Sequence, residues 1–415
     1  MPRLRPLLLA ALLVGLPQAQ AAGRPEAQTW NGKQVNLYAA ESAGRYGSGV
    51  LVAVIDGWVD RSHPDFEGRV LKGADCTSGT CTPGQTADSC THGTHVAGTV
   101  ASSSYGVATK ATVLPVRVLT VDSNGDCTGT PSAVAAGIRY AVAQGAKVLN
   151  LSLGPDVPGL GSNSAIPTAV QEAADAGAVV VFSAGNADLP VAQAYGGNAL
   201  VVAATGPNGQ LATYSQHGQG VSVAAPGGQP DSNDQCTQST CVLSLYPGGE
   251  YAVAAGTSMA APHVSGLAAL LFGQQPSRSR QDVLNRIQQT ARPLSGAGSG
   301  LVDMKAALGV KSTPTPPATH SPAPVHTQKP AVHPRATRPP SVVPQAPTQT
   351  PTTVATTEPP TPPSPSPVPL PEPTFQARGN RTKPDDVPLP LALTAIALVT
   401  LAGSAVVTLS LKRRG

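Results

Sequence analysis

A serine at the start of a small-residue helix is the residue of this sequence best placed to react. Ser258 follows Gly256 and Thr257 and opens an apolar run that continues to Gly266. The first turn of a helix has N–H groups without intrahelical acceptors, so it can stabilise negative charge on a bound carbonyl oxygen. Taken alone, Thr257 and Ser258 are interpreted as ordinary capping residues. The chemical interpretation therefore depends on a base and an acid elsewhere.

A serine hydroxyl is a weak nucleophile that needs a base, and the base needs a carboxylate to orient it. A continuous apolar run ends at Asp56, which predicts a buried parallel strand with the acid at its carboxyl end. His92 opens a second helix of small residues. Open α/β sheets place their sites at the carboxyl ends of strands. The chain order Asp, His, Ser is one of the known orders of a catalytic triad, so these three residues are the predicted catalytic set.

Four blocks resemble the subtilisin-like serine peptidases, or subtilases, over roughly residues 30–310. The blocks are the strand that ends at Asp56 and the segments His92–Gly98, Ser183–Asn186 and Gly256–Gly266. The resemblance implies that Asp56 orients His92, that His92 is the general base and then the acid, and that Ser258 is the nucleophile. It also implies that the Asn186 amide donates to the developing oxyanion, whereas an isolated Asn after glycine is interpreted as a turn residue.

The resemblance also assigns the substrate cleft. Segment 147–154 matches the family's substrate-binding strand, so Ser152, Leu153 and Gly154 are expected to pair with an extended peptide. Ala184 and Gly185 are expected to form the opposite wall of the S1 pocket, with residues 193–198 as its floor. Both walls are small and uncharged, which predicts small or medium apolar P1 residues and disfavours Arg and Lys. Should an acid reach the pocket, Asp188 is the first candidate.

The alternation of strand and helix patterns predicts an α/β fold: a doubly wound, mainly parallel sheet with helices on both faces. Predicted strands are 112–119, 147–154, 178–184, 200–204 and 221–225, with a hairpin of 241–246 and 251–255. Predicted helices begin at His92, Pro131, Ala165, Ser258 and Ser279. Segment 30–46 is predicted to be an arm that leads into the first strand.

Several residues near the predicted triad have a structural interpretation. Asp60, His63 and Asp65 are expected to be structural or solvated, and His95 and His263 to be packed helix histidines and not metal ligands. Two positions depart from the family pattern, namely Gly57-Trp58 after the acid and Cys90-Thr91 before the histidine. They change the wall of the cleft and remove no catalytic group.

The six cysteines are expected to form disulfides, because no Cys-x-x-Cys or Cys/His metal spacing is present and the chain is predicted to be exported. The sequence does not determine their connectivity. The favoured pairs are Cys76–Cys81 and Cys236–Cys241, each closing a small polar loop, which leaves Cys90–Cys127 to brace the loop before His92. A catalytic Cys90 is the alternative.

The two ends of the chain carry targeting and anchoring signals. Residues 1–22 have a basic start, an apolar run and a small-residue cleavage site, which predicts a signal peptide. The peptidase domain is assigned to 23–311 and is followed by a Pro/Thr-rich disordered linker over 312–386. Segment 387–411 is apolar and long enough to be a transmembrane helix, and the basic residues 412–415 predict a cytoplasmic tail.

These features predict a single-pass serine endopeptidase with its catalytic domain outside the cell. The alternative is a catalytically silent surface module that binds peptides in the cleft. The arrangement resembles the mycosins, which implies a secretion machinery as a partner, although Tyr105–Ala108 and the helix after Gly129 resemble the proteinase K-like branch. A net charge of +4 with 12% charged residues gives no nucleic-acid footprint. No cofactor is required; structural calcium is implied by resemblance alone, since no acid cluster has ligand spacing.

Overall fold

The computed structural model describes residues 28–123, 125–154, 165–191, 195–311, 375–377 and 380–381. They belong to one unit of the chain, which comprises Met1–Lys311 and Glu372–Gly415. The strands are β1 Leu51–Asp56, β2 Ala74–Asp75, β3 Thr82–Pro83, β4 Thr112–Arg117, β5 Thr120–Val121, β6 Cys127–Gly129, β7 Val148–Leu151, β8 Val179–Ser183, β9 Leu200–Thr205, β10 Val223–Pro226, β11 Val242–Tyr246, β12 Glu250–Ala255, β13 Phe375–Ala377 and β14 Asn380–Arg381. The helices are α1 Trp30–Gln34, α2 Leu37–Ser42, α3 His92–Ala101, α4 Pro131–Ala143, α5 Ala165–Asp175, α6 Thr257–Gln274, α7 Arg280–Gln289 and α8 Met304–Ala307.

The central sheet has the strand order β10-β9-β8-β7-β1-β4-β2-β3. Its neighbours are parallel except for the short β2–β3 pair. From β1 the chain adds strands in both directions, with β4 on one side and β7 on the other, so the winding reverses at β1. Ligands of open α/β sheets bind at such a switch point, outside the carboxyl ends of the strands. Asp56 occupies that position on β1.

Strand β1 faces two hydrophobic cores, one on each side of the sheet. Val52 and Val54 belong to the core that contains residues of α3 and α6, whereas Ala53 and Ile55 belong to the core of α4 and α5. All four are fully buried. A strand buried on both faces needs a continuous apolar run, because successive side chains point to opposite faces. The predicted doubly wound α/β fold with helices on both faces is therefore confirmed.

Helix α6 lies in the interior, with every residue from Thr257 to Phe272 buried. Small residues allow this position: a Cβ added to Gly266 would lie 2.4 Å from the Cβ of Val107. An apolar helix surrounded on all sides needs no polar face. The helix that begins with the candidate nucleophile is thus held on all sides by the core.

Several predicted boundaries differ from the structure. Segment 147–154 was expected to be one strand, but β7 ends at Leu151. Pairing with β1 stops at Asn150 and pairing with β8 stops at Leu151, so neither neighbour offers a ladder partner beyond that point. The predicted hairpin is confirmed as the antiparallel pair β11–β12, with Tyr246 opposite Glu250.

The predicted arm 30–46 forms two short helices docked on the domain. Trp30 Nε1 donates to the carbonyl oxygen of Cys241 at 3.0 Å, and Asn31 Nδ2 lies 2.9 Å from His263 Nε2. Gln34 Nε2 donates to the carbonyl oxygen of Gly206 at 2.8 Å. This segment therefore contacts both the β11 end and the interior of α6.

The predicted signal peptide, transmembrane helix and tail lie outside the described residues, as does most of the linker. Among the residues that are described, no helix has the length and hydropathy to cross a membrane. The prediction of a wholly disordered 312–386 is wrong for Phe375–Ala377 and Asn380–Arg381, which form β13 and β14. Both pair with strands of the domain, because a segment without a core of its own can still use the N–H and C=O groups of a sheet edge.

Candidate active site

Asp56 and His92 form a buried pair at the carboxyl end of β1. The Asp56 carboxylate has no exposed surface, and its Oδ1 lies 2.8 Å from His92 Nδ1. The same oxygen accepts the Gly57 N–H at 2.7 Å. A carboxylate only accepts hydrogen bonds, so Nδ1 of His92 carries the proton and Nε2 has the free lone pair. The acid therefore selects the tautomer in which Nε2 can act as a base.

Close packing of α3 against the loop after β1 creates this contact. A Cβ added to Gly93 would lie 2.6 Å from the carbonyl oxygen of Gly57 and 2.9 Å from that of Trp58. The next residue after His92 must therefore be glycine for the helix to begin here. On the other side, the carbonyl oxygen of Asp56 accepts the N–H of Val118 at 2.8 Å.

Ser258 lies in the first turn of α6, whose N-cap is Gly256 with φ 155°. Two hydrogen bonds connect it to Ser152: Ser258 Oγ donates to the Ser152 carbonyl at 3.1 Å, and Ser152 Oγ donates to the Ser258 carbonyl at 2.7 Å. Pro262 explains the second bond. Four residues after Ser258, proline has no N–H to donate to that carbonyl, so the Ser152 hydroxyl replaces the missing helix donor.

The hydroxyl of Ser258 thus donates to Ser152 and not to His92 in this rotamer. Within the described chain, Nε2 of His92 is buried without a hydrogen-bond partner. Hydrogen bonds of catalytic groups are often made only once substrate is bound. The structure brings two of the three predicted triad residues into contact and leaves the third to turn about its Cα–Cβ bond.

Thr257 orients the predicted oxyanion donor, a role that sequence reasoning missed. Its backbone N–H and its hydroxyl both donate to Asn186 Oδ1 at 2.9 Å, and its Oγ1 accepts the Gly185 N–H at 3.1 Å. Thr257 therefore does not cap α6. Because two donors hold Oδ1, the Nδ2 of the half-buried Asn186 is directed away from Thr257. The Gly-Thr-Ser sequence could have indicated this role, but its threonine has the pattern of an ordinary capping residue.

The two predicted walls of the cleft follow adjacent strands. Ser152 and Leu153 come after β7, and Leu153 is fully buried, so its side chain does not face a cleft. A Cβ added to Gly154 would lie 3.1 Å from the Ser183 carbonyl oxygen, which brings this segment close to the end of β8. Ala184 donates its N–H to Val202 at 2.9 Å, and Gly185 has φ 106°. Their pairing with peptide remains a prediction.

The described part of the predicted pocket floor is held by an aromatic stack. Tyr195 stacks on Phe182 with ring centroids 4.3 Å apart, whereas residues 193 and 194 lie outside the described residues. Asp188 lies at the surface with its side chain 68% exposed, 3.7 Å from His217 Nδ1. The Asp188 carboxylate is therefore mainly hydrated.

All three favoured disulfides are confirmed: Cys76–Cys81, Cys236–Cys241 and Cys90–Cys127. The last joins the loop before His92 to β6. A Cβ added to Gly57 would lie 2.3 Å from Cys90 Sγ, so the glycine after Asp56 makes room for this disulfide. The two departures from the family pattern thus form one packed unit beside the histidine.

A buried arginine holds the same loop, and sequence reasoning missed it. Arg117 ends β4 beside Asp56 in the ladder, and its two Nη atoms each lie 2.5 Å from a carboxylate oxygen, one of Asp75 and one of Asp88. Burial alone would lower the pKa of Arg117, but hydrogen bonds to the two acids raise it. Asp88 also accepts the Cys90 N–H at 2.9 Å. The signal available in the sequence was a charged residue at the end of a strand that is otherwise buried.

The other polar residues that were predicted to be structural form hydrogen bonds within the domain. Asp60 Oδ2 accepts the Gly248 N–H at 2.8 Å, and His63 Nε2 lies 3.0 Å from the Glu250 carbonyl. His95 Nε2 lies 3.1 Å from the Val242 carbonyl, which places it against β11. His263 Nδ1 donates to the Met259 carbonyl at 2.8 Å. The prediction of packed, hydrogen-bonded histidines is confirmed.

Structural calcium, which the family resemblance implies, has no side-chain cluster to hold it among the described residues. No group of three or more His, Cys, Asp or Glu in the described part of the chain is arranged to hold an ion. The two carboxylates that converge beside the active site, Asp75 and Asp88, both bind the guanidinium of Arg117.

Comparison with known proteins agrees with this geometry. The model of the subtilase family matches residues 47–314. Thermitase of Thermoactinomyces vulgaris is 42% identical over 261 residues, which cover 61% of this chain and 85% of thermitase. Subtilisin Savinase of Lederbergia lenta is 37% identical over 291 residues, which cover 67% of this chain and 97% of Savinase. A solved protease of Pseudoalteromonas arctica has a TM-score of 0.57 at 32% identity, covering 66% of this chain and 93% of its own.

A solved cold-adapted subtilisin-like serine proteinase has a TM-score of 0.52 at 30% identity and covers 62% of this chain and 88% of its own. The family match spans more than half of the chain and includes Asp56, His92, Asn186 and Ser258. The chain is therefore a member of the subtilase family and a subtilisin-like serine endopeptidase.

Proposed function

We propose that this chain is an exported, membrane-anchored endopeptidase that cuts proteins or peptides through a Ser258 acyl-enzyme. The observation that carries the catalytic part is the buried Asp56–His92 contact of 2.8 Å, which leaves His92 Nε2 as the base. Ser258 opens a helix that packs beside that of His92. Among the described residues Nε2 has no hydrogen-bond partner, and acyl transfer needs a base of this kind within reach of a serine hydroxyl.

The first step is proton transfer as Ser258 attacks. Substrate binding turns the hydroxyl from the Ser152 carbonyl to His92 Nε2, which takes the proton as Oγ bonds to the carbonyl carbon. Asp56 stabilises the imidazolium through the Nδ1–H bond and stays ionised. His92 then gives the proton to the leaving amine. Water repeats the sequence and releases the acyl group as a carboxylate.

The oxyanion of the tetrahedral intermediate would be held by two donors. One is the Ser258 N–H, which lies among the first four N–H groups of α6 and so has no intrahelical acceptor. The other is Asn186 Nδ2, which Thr257 directs by holding the amide oxygen. Donors fixed before the reaction cost no reorganisation when charge develops.

Active-site labelling tests the catalytic proposal. The full-length protein should react with a fluorophosphonate probe and hydrolyse peptides, and Ser258→Ala should abolish both. Ser239→Ala, a change at an exposed serine, is the matched control and should behave as the wild type. If the wild type takes no label but still binds peptides, the silent binding module is the correct function.

Export and anchorage are proposed from the terminal signals at 1–22 and 387–415. The full-length protein should stay with membranes in a carbonate wash, with the catalytic domain open to protease added outside cells. Deletion of 387–415 should release active enzyme into the medium. A full-length protein extracted by carbonate would rule out the anchor. Co-purification from solubilised membranes would test for a secretion machinery as partner.

A further inference from the structure

Two short strands from the end of the predicted linker pair with the edges of the catalytic domain. β13 is antiparallel to β6, with Phe375 opposite Gly129 and Ala377 opposite Cys127. β14 is antiparallel to β12, with Asn380 opposite Ala255 and Arg381 opposite Ala254. A peptide that adds a strand to an existing sheet edge is bound in the way that many proteins bind extended peptides.

The two edges flank the catalytic residues. Ala255 ends β12 three residues before Ser258. Cys127 begins β6 and is disulfide-bonded to Cys90, two residues before His92. Segment 375–381 therefore enters beside the loop of the base and leaves beside the loop of the nucleophile.

The short connection between β13 and β14 limits where the segment can pass from one sheet edge to the other. Only Arg378 and Gly379 separate β13 from β14 in the sequence. Three Cα–Cα steps span at most about 11 Å, and paired residues of neighbouring strands lie about 4.5–5.5 Å apart. The ends of β6 and β12 that pair with this segment are therefore close enough to be bridged by one short peptide. A cut between Ala377 and Asn380 would therefore separate the strand that pairs with β6 from the strand that pairs with β12.

We propose that the enzyme's own segment 375–381 is its intramolecular substrate and is cut between Ala377 and Asn380. The inference rests on the proposed function of Ser258. Oγ bonds to the carbonyl carbon of one connecting peptide, His92 carries the proton from Oγ to the leaving nitrogen, and the C–N bond breaks. Water then hydrolyses the ester, which restores Ser258 and leaves a new carboxylate and a new amine. Because the predicted anchor begins at residue 387, this cut frees the catalytic domain.

Time courses on the purified full-length protein in detergent test the proposal. Wild type should convert into two fragments whose ends, read by mass spectrometry, fall between residues 377 and 380. The first-order rate should be the same over a roughly 100-fold range of protein concentration, as expected for a segment tethered to its own site. Ser258→Ala should remain intact.

A strand-breaking variant separates recognition from catalysis. Proline at both 376 and 377 (Gln376→Pro with Ala377→Pro) removes two successive N–H groups, so whichever of them bonds to β6 is lost. Loss of one backbone hydrogen bond, worth about 0.5–1.5 kcal/mol, should slow self-cleavage by about 2- to 13-fold. Hydrolysis of an added peptide should stay unchanged or rise. Proline at both 348 and 349 (Thr348→Pro with Gln349→Pro) is the matched control in the linker and should be cut at the wild-type rate.

The outcomes distinguish this inference from the proposed function. If added peptides are hydrolysed while segment 375–381 stays intact, is cut elsewhere, or is cut at a rate proportional to protein concentration, the inference is wrong and the proposed function stands. If neither added peptide nor this segment is cut and no probe labels Ser258, both are wrong.

Discussion

Acidification should destabilise the domain through His263, a buried residue one turn past Ser258 in α6. Nδ1 donates to the Met259 carbonyl at 2.8 Å, so Nε2 is the acceptor for Asn31 Nδ2 at 2.9 Å. Protonation would place a second donor against that amide and bury a charge. Burial accordingly lowers the pKa of His263 from 6.5 to about 4, against the raising effect of the Met259 bond.

The size of the effect follows from linkage. The folded-state pKa lies below the unfolded one, so this stability is complete above 6.5 and is lost as pH falls toward about 4. Between about pH 7 and about pH 4.5, protons bind mainly to the unfolded chain, which removes roughly 2 kcal/mol from the free energy of unfolding. The lowered pKa values of Asp60 and Asp75 lie below 3.8, and their contribution is lost only in more acidic solution.

Urea unfolding measured at these two pH values would check the prediction. All variants carry Ser258→Ala so that the sample does not digest itself. His263→Gln should lose most of the difference in the free energy of unfolding between the two pH values. Any destabilisation that the substitution causes equally at both pH values cancels in this difference. His326→Gln, in the predicted linker, should keep the full difference. An equal pH dependence with and without His263 would refute the assignment of this buried histidine.

Three further predictions concern catalysis, bracing and specificity. Asn186→Ala should lower kcat on the order of 10²–10³-fold with little change in KM, because its amide is proposed to act on the transition state; stopped-flow or steady-state kinetics would show this, and a loss confined to KM would contradict it. The paired change Cys90→Ser and Cys127→Ser should cost about 4 kcal/mol in urea unfolding, because the disulfide closes a loop with a sequence separation of 37; an unchanged midpoint would mean that packing alone holds the loop. A peptide library should show cleavage after Ala or Leu and little after Arg or Lys; dominant cleavage after Arg would overturn the uncharged-pocket prediction.

The sequence was sufficient for the sheet and for the Asp56–His92 pair because both leave strong local patterns. β1 is buried on both faces, so its apolar run is unbroken and ends at the single acid Asp56. Small residues begin α3 and α6 where helices must approach other backbone closely, as Gly93 does. Two cysteine pairs separated by 5 residues form disulfides that close small loops, which made their pairing predictable.

Contacts that depend on distant parts of the chain could not be predicted in the same way. Arg117 is neutralised by Asp75 and Asp88, which no periodicity connects to it. Thr257 was interpreted as a cap because its partners, Gly185 and Asn186, come about seventy residues earlier. Residues 375–381 carry no hydrophobic pattern, since their pairing is made by the backbone. Contacts of this kind leave no local pattern in the sequence, so the sequence alone could not predict them.

The Cys90–Cys127 disulfide ties the loop before His92 to β6, the strand that pairs with β13, and this covalent tie exists only while the bond is oxidised. In a reducing compartment the two residues would be thiols, and the base loop and β6 would be held to each other by packing alone. We expect newly made chains to have a looser cleft until they meet an oxidising environment. If the chain is exported as proposed, the reducing interior of the cell would limit its activity, and full activity would develop only outside the cell.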